Sequence, residues 1–257
     1  MLSSVATRDE RPRRQTPTRI GRAQRNYEHS LRSIGRHVGD LIAGVAAGEN
    51  WLEAVPSLRQ LLDAYGEALQ PWAITTASRM LNEIDARDRD SWRSLGNAIS
   101  SQLRADILRA PVGERLRELL ADQVSLIRSI PTDAAQRVHE IAVKALEDSG
   151  RARELAAEIM ESGEVAQSHA TLIAVTETAR AASVLTETRA TLGAGSTNYR
   201  WRTSRDSAVR PDHKILEGKV FAWSDPPVAD RRTGARAHPG RIYRCRCWPE
   251  PIVEMEE

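Results

Sequence analysis

Four side chains in the C-terminal third of the chain could together hold a metal ion. Asp206, His213, Cys245 and Cys247 come from separate predicted loops, and such donors form the tetrahedral Zn²⁺ sites of proteins. On a strand, alternate residues point to opposite faces, so only one sulfur of Cys-x-Cys would bind unless a turn intervenes. The same spacing would strain a disulfide. The alternative is a metal-free polar core, in which hydrogen bonds of Asp206 and His213 fix the loops and the cysteines pack as small apolar side chains.

Arginine-rich segments at both ends could bind the phosphates of nucleic acid. Residues 1–37 contain nine arginines and three acidic residues, a net charge of +6, and residues 196–249 carry +7. Residues 38–195 carry −7 and residues 250–257 carry −4. This clustering indicates contact with a polyanion at the two basic ends. The arginines that we expect to contact phosphate are Arg11, Arg13, Arg14, Arg19, Arg210 and Arg246.

Residues 1–20 are predicted to form a basic, disordered arm, because Pro12 and Pro17 interrupt any continuous helix among its arginines. Such an arm neutralises phosphates without reading bases, in a salt-dependent manner. The alternative is a solvated terminus with no partner.

Several classes of protein are excluded by composition. Two cysteines only two residues apart cannot make a disulfide framework, which favours a reducing, cytosolic origin. No uncharged run approaches the ~18 residues of a membrane span, and no apolar segment of a secretory signal precedes the first arginines. We therefore expect no membrane partner.

The elements that must position these side chains are mostly helices. Between residues 21 and 160 apolar residues recur at three- and four-residue spacing, as in Trp92, Leu95 and Ile99. Prolines are expected where helices begin or end; they are Pro56, Pro71, Pro111 and Pro131. The pattern predicts a bundle of five to seven helices.

The C-terminal part has a different pattern. A long helix is predicted over 164–192, with Gly193 and Gly195 ending it. Short β-type segments follow at 198–203, 219–223 and 241–248. The predicted fold is mainly α, an N-terminal helical bundle with a small α+β C-terminal domain of a few antiparallel strands. We divide the chain into the arm 1–20, the helical region 21–160 and the α+β domain 161–257.

A run of unlike residues in the C-terminal part resembles the signature of the phage Mu F-like minor head proteins, the head morphogenesis family. The resemblance covers roughly residues 165–250. The matching residues are Trp201, Thr203, Asp206, Val209, Arg210, His213, Leu216, Gly218, Phe221, Pro239, Gly240, Cys245, Arg246 and Cys247. Within this set we expect Trp201, Asp206, Arg210, His213, Gly218, Cys245 and Cys247 to form the structural motif.

The resemblance implies a structural role and no catalytic site. Such proteins are low-copy, portal-associated components of tailed-phage heads, and they help to assemble the procapsid and to package or deliver DNA. The expected partners are the portal protein, other head proteins and double-stranded DNA contacted independently of sequence. The expected location is the virion, after assembly in the cytoplasm of a bacterial host.

Two other functions are compatible with the sequence. Asp212-His213 is similar to the metal-binding pair of His-Asn-His nucleases, although the downstream Asn or His of those enzymes has no counterpart at fixed spacing. A plain DNA-binding protein that uses only its arm is the other alternative.

Overall fold

The computed structural model describes residues 20–94, 99–147 and 152–253. The predicted arm, with Arg11, Arg13, Arg14 and Arg19, lies outside the described residues. The described part of the chain is mainly helical with a small C-terminal region of antiparallel strands, which confirms the predicted fold class.

Most of the described residues lie in six helices, α1 to α6. Their bounds are α1 Gly21–Ala46, α2 Trp51–Ala68, α3 Gln70–Arg93, α4 Ser101–Arg109, α5 Gly113–Glu147 and α6 Ala152–Thr188. A π-helical turn, Arg189–Gly193, continues α6. None of the helices among the described residues is both long and apolar enough to cross a membrane.

Two of the four prolines do not stand at helix ends. Pro71 begins α3 and Pro111 precedes α5, as expected. Pro56 and Pro131, however, lie inside α2 and α5, so the expectation was wrong for them. A proline removes one backbone hydrogen bond from a helix. Around Pro131 the apolar face continues across it with Ile127, Ile130 and Ala134 all buried, and this packing stabilises the helix on both sides.

Helices α1 and α6 pack closely against each other. Gly39 and Gly163 face each other, and a Cβ added to Gly163 would lie 2.7 Å from the Cα of Gly39. Helix α6 therefore lies directly against α1 through its first half. The predicted boundary between residues 160 and 161 falls inside this continuous helix.

The strands form two small antiparallel sheets. The first has the order β2–β1–β5, with β1 Asn198–Arg202 in the centre, β2 Val220–Ala222 and β5 Trp248–Ile252. The second pairs β3 Val228–Asp230 with β4 Ala235–Arg236. A short helix, α7 Pro211–Leu216, connects β1 to β2.

The third predicted strand, 241–248, was wrong. Residues 241–247 form a turn and loop, and the strand begins only at Trp248. Strand β5 contains Pro249 and Pro251, which on sequence grounds argue against a strand. It is an edge strand of the sheet, and an edge tolerates prolines because one side of its backbone needs no N–H donor.

Within the described residues there are two hydrophobic cores, and helix α3 contributes to both. The larger core is formed by α1, α2, α3, α5 and α6. The smaller core contains Tyr199, Trp201 and Trp223 of the C-terminal part together with Trp92 of α3 and Ile107 of α4. The C-terminal unit therefore packs on residues from the predicted helical region.

Candidate functional site

Three of the four predicted metal ligands meet at one point. Nδ1 of His213 lies 3.5 Å from Sγ of Cys245 and 3.5 Å from Sγ of Cys247. All three ligand atoms lie within 4.8 Å of one another. The side chains are buried, with exposed fractions of 2%, 3% and 6% respectively. We call these three residues the Cys-Cys-His cluster.

A turn in the loop before β5 brings both sulfurs to the same side. Arg244 adopts the left-handed conformation with φ of 51°, and the Cys245 N–H donates to the carbonyl of Ile242 at 3.0 Å. Alternation between opposite faces applies only to extended strand, so Cys245 and Cys247 both reach His213. The turn that the sequence analysis required for both sulfurs to reach one point is therefore present.

Helix α7 presents the imidazole to this loop. Pro211 occupies the first turn of α7, where a missing N–H costs nothing. The His213 ring packs edge-on against Trp201, with ring centres 5.4 Å apart. Its Nε2 is buried and makes no hydrogen bond within the described part of the chain. The polar contacts of this ring thus run through Nδ1 to the two sulfurs.

The two thiols have opposite pKa shifts. A hydrogen bond from Cys247, joined by the interaction with His213, lowers the pKa of Cys245 below its usual value. The hydrogen bond to Cys245 and burial raise the pKa of Cys247 above its usual range. The Gly240 N–H also donates to Sγ of Cys245 at 3.4 Å. The cluster therefore favours one thiolate, which is the form that binds metals.

Gly240 fixes the loop against α6. Its φ is +88°, and an added Cβ would lie 3.1 Å from the carbonyl oxygen of Ala179. Only glycine adopts such a backbone conformation without strain. The Pro239-Gly240 pair of the signature thus lets the backbone approach α6 closely.

Asp206 does not belong to the cluster. Its carboxylate accepts hydrogen bonds from Nη2 of Arg246 at 2.6 Å and from the Ala208 N–H at 3.0 Å. Of the four side chains that were predicted to hold a metal ion, the structure therefore brings together only His213, Cys245 and Cys247. Asp206 precedes α7 in an exposed loop, where a nearby guanidinium neutralises it.

The two C-terminal arginines expected to contact phosphate are exposed but already make contacts. Arg210 donates to the carbonyl oxygen of Tyr243 at 2.6 Å, and Arg246 pairs with Asp206. Both contacts connect the loop of residues 241–247, which carries the two cysteines, to the loop before α7. Beside them Tyr243 and Arg244 are exposed, and the sequence analysis did not assign phosphate contact to either.

Trp201 and Gly218 have structural roles. Trp201 is fully buried in the smaller core, and the Gly218 N–H donates to its carbonyl oxygen at 2.8 Å. Gly218 has φ of +79°. The adjacent Glu217, which the sequence analysis did not single out, accepts the Thr203 N–H at 2.6 Å and pairs with Arg205.

The Asp212-His213 pair is not assembled as a nuclease centre. Asp212 accepts the backbone N–H of Arg231 at 3.0 Å, whereas His213 faces the two cysteines. Consecutive residues of a helix do not face each other. The geometry thus gives the nuclease alternative no support.

Helix α1 carries an exposed surface of arginines. Arg22, Arg25, Arg32 and Arg36 are exposed, and at about 100° per residue they share the face opposite the buried one. None of them forms an ion pair with an acidic side chain among the described residues. The charge of residues 1–37 indicated this surface, but within these residues the sequence analysis assigned phosphate contact to the arm alone. We call these four residues the α1 arginine face.

Comparison with known proteins confirms the resemblance in the C-terminal region. The family model described as Phage Mu protein F like protein matches residues 136–249. The match includes every residue of the signature and begins within α5, earlier than expected. The C-terminal region is thus Mu F-like.

One curated relative is an uncharacterized protein of Haemophilus influenzae, 28% identical over 165 residues. The match covers 64% of this chain and 35% of the relative, so the chain spans about a third of the length of the relative. No solved structure matches the chain.

Proposed function

We propose that this chain is a minor capsid protein of a tailed phage or prophage, acts in head morphogenesis, and is a component of the virion. The match to the Mu F-like family over residues 136–249 carries this proposal. The packing of the signature supports it, because Trp201, Gly218 and Gly240 each have a definite role in the C-terminal unit. The signature residues thus stabilise the fold of the matched region.

The proposed partners are the portal protein, other head proteins and double-stranded DNA. The α1 arginine face supports the DNA contact. From Arg22 to Arg36 it extends roughly 21 Å along the helix, since each residue adds about 1.5 Å. Exposed guanidinium groups at this spacing suit phosphates, and they offer no arrangement for reading bases.

The DNA contact is tested by the salt dependence of binding. Neutralised phosphate contacts give a slope of log affinity against log salt of about −0.9 each. The double variant Arg32→Ala/Arg36→Ala should therefore reduce the steepness by about 1.8. The matched control is Arg59→Ala/Arg93→Ala, a half-buried and an exposed arginine that pair with Asp63 and Asp90, and it should leave the slope unchanged.

Two results would contradict the DNA contact through α1. One is a slope that the Arg32→Ala/Arg36→Ala variant leaves unchanged, and the other is affinity that differs greatly between two unrelated DNA sequences. Deletion of residues 1–20 separates the arm from α1, because a purely arm-driven binder would lose all affinity.

The structural role is tested with the portal protein encoded by the same phage genome. The full chain should co-purify with the portal protein on co-expression and should be found in assembled heads at low copy. The variant without residues 1–20 should still do so. A chain that never enters particles, or that cleaves plasmid DNA with Mg²⁺ in a manner abolished by His213→Ala, would overturn the proposal.

A further inference from the structure

The contacts of His213 do not suit hydrogen bonds alone. Nδ1 of an imidazole has a single in-plane site, which either donates one proton or accepts one. Here the same atom lies 3.5 Å from two sulfurs at once. A hydrogen bond from Nδ1 would have to be shared between the two sulfurs, whereas a cation placed between the three atoms can use a lone pair from each.

The distances agree with those of a zinc corner. With Zn–S of about 2.3 Å and Zn–N of about 2.0–2.1 Å, a tetrahedral ion sets its sulfur and nitrogen ligands roughly 3.5–3.6 Å apart. Both observed separations are 3.5 Å. We propose that Sγ of Cys245, Sγ of Cys247 and Nδ1 of His213 bind one Zn²⁺ ion.

The types of ligand atom in the cluster favour zinc. Thiolate and imidazole are ligands for Zn²⁺, whereas Mg²⁺ and Ca²⁺ take oxygen donors. No fourth side chain joins the cluster among the described residues, and Asp206 is committed to Arg246. The fourth tetrahedral position is left to a solvent molecule.

The surroundings of the cluster are built to hold thiolates. All three side chains are more than nine-tenths buried, and the Gly240 N–H points at Sγ of Cys245. Trp201 covers the imidazole. The ion connects α7 to the loop before β5, two segments more than 30 residues apart in sequence. This site is independent of the head-protein role proposed above.

The test is the zinc content of the full chain, purified without a histidine tag from zinc-supplemented medium. Elemental analysis should find about one zinc per chain, as a single tetrahedral site requires. His213→Ala should lower this content at least about tenfold, because it removes the sole imidazole ligand. The double variant Cys245→Ser/Cys247→Ser should have at least the same effect, because it removes two of the three protein ligands. His213→Cys, which restores a third ligand of a kind zinc accepts, should recover binding.

The matched control is Asp206→Asn. It changes the fourth residue that the sequence predicted as a ligand, and it should leave the zinc content unchanged. Loss of zinc in this variant with the fold intact by circular dichroism would contradict the three-ligand site.

A measurement on the unmodified chain keeps the proposal testable if the variants fail to fold. Zinc is removed with a chelator, and Co²⁺ is then added to the full chain. Thiolate-ligated tetrahedral Co²⁺ should give intense sulfur-to-metal charge-transfer absorption. A folded chain that takes up neither Zn²⁺ nor Co²⁺, or one whose intact mass is lower by the two hydrogens of a disulfide, would overturn the proposal.

Discussion

The helical bundle and the C-terminal unit are stabilised by different kinds of contact. The core of the bundle consists mostly of Leu, Ile, Val and Ala side chains. The core of the C-terminal unit is smaller, contains several aromatic rings and is surrounded by polar contacts that involve His213, Glu217 and His238. A small unit buries less apolar surface per residue. Polar contacts and closely packed glycines therefore contribute more to determining its fold.

A buried ion-pair network connects the two regions. In the π-helical turn, Arg189 donates to Asp88 at 2.6 Å and to Asp85 at 2.6 Å, both on α3. Thr186 also donates to Asp88 at 2.5 Å. Arg189 and Asp88 are almost completely buried. This network fixes the end of α6, from which the chain enters β1, against the bundle.

The largest effect is expected from Arg189→Met. The substitution leaves the buried carboxylate of Asp88 without this cation, and breaking a buried pair typically costs about 3–5 kcal/mol. The free energy of unfolding, measured with urea, should fall by that amount. Adding Asp88→Asn to Arg189→Met should recover part of the loss, because the uncompensated charge is removed.

The control for this prediction is the exposed pair of Arg93 and Asp90. Arg93→Ala should change the free energy of unfolding by less than about 1 kcal/mol, as surface pairs do. If Arg189→Met and Arg93→Ala lowered the free energy of unfolding equally, the buried network would contribute no more than a surface ion pair. It would then not join the two regions.

A smaller effect is expected where α1 and α6 meet. Gly163→Ala places a Cβ 2.7 Å from the Cα of Gly39, and the two helices must separate. Overpacking of this kind costs about 1–3 kcal/mol. Thermal unfolding should show a lower melting temperature.

Gly44→Ala is the matched control and should have the opposite sign. Gly44 also lies within α1, but nothing lies within 4 Å of its added Cβ. Alanine there should stabilise the helix by about 0.5–1 kcal/mol. If Gly163→Ala is also stabilising, the glycine contact does not set the distance between the helices.

The bundle was the more predictable of the two regions. Apolar periodicity gives helices directly, and Pro71 and Gly193 stand near real helix ends. Pro131 was misread because the surrounding apolar face, which keeps α5 continuous, is a tertiary effect that a local rule omits. The strand containing Pro249 and Pro251 was missed for the same reason, since its position at a sheet edge is not local information.

The site was predictable in composition but not in geometry. The residue types of His213, Cys245 and Cys247 were sufficient to predict a cluster. Whether both sulfurs point to His213 depends on the left-handed conformation of Arg244, and an arginine gives no signal of it. Asp206 was included because carboxylates bind zinc, whereas its partner Arg246 lies 40 residues away in sequence.

The smallest effect is expected from pH, and it compares one histidine from each region. Burial, joined by the positive charge of Arg241 and opposed by Glu187, holds the pKa of His238 below its usual value of about 6.5. Burial likewise lowers the pKa of His169 on α6, with Asp133 opposing it. The unfolded chain therefore binds more protons than the folded chain as the pH falls below about 6.5. Stability is full above that pH and is lost as the pH falls towards the lowered values.

Melting temperatures measured between pH 7.5 and pH 5 in about half-unit steps give the slope of melting temperature against pH. His238→Gln and His169→Gln should each make it shallower, because each removes one group that gains a proton on unfolding. If the buried network of Arg189 joins the regions into one cooperative unit, both variants act on the same transition. In the Arg189→Met background the transitions should separate, and His238→Gln should then affect only that of the C-terminal unit. A slope that neither substitution alters would show that these buried histidines do not set the acid sensitivity of either region.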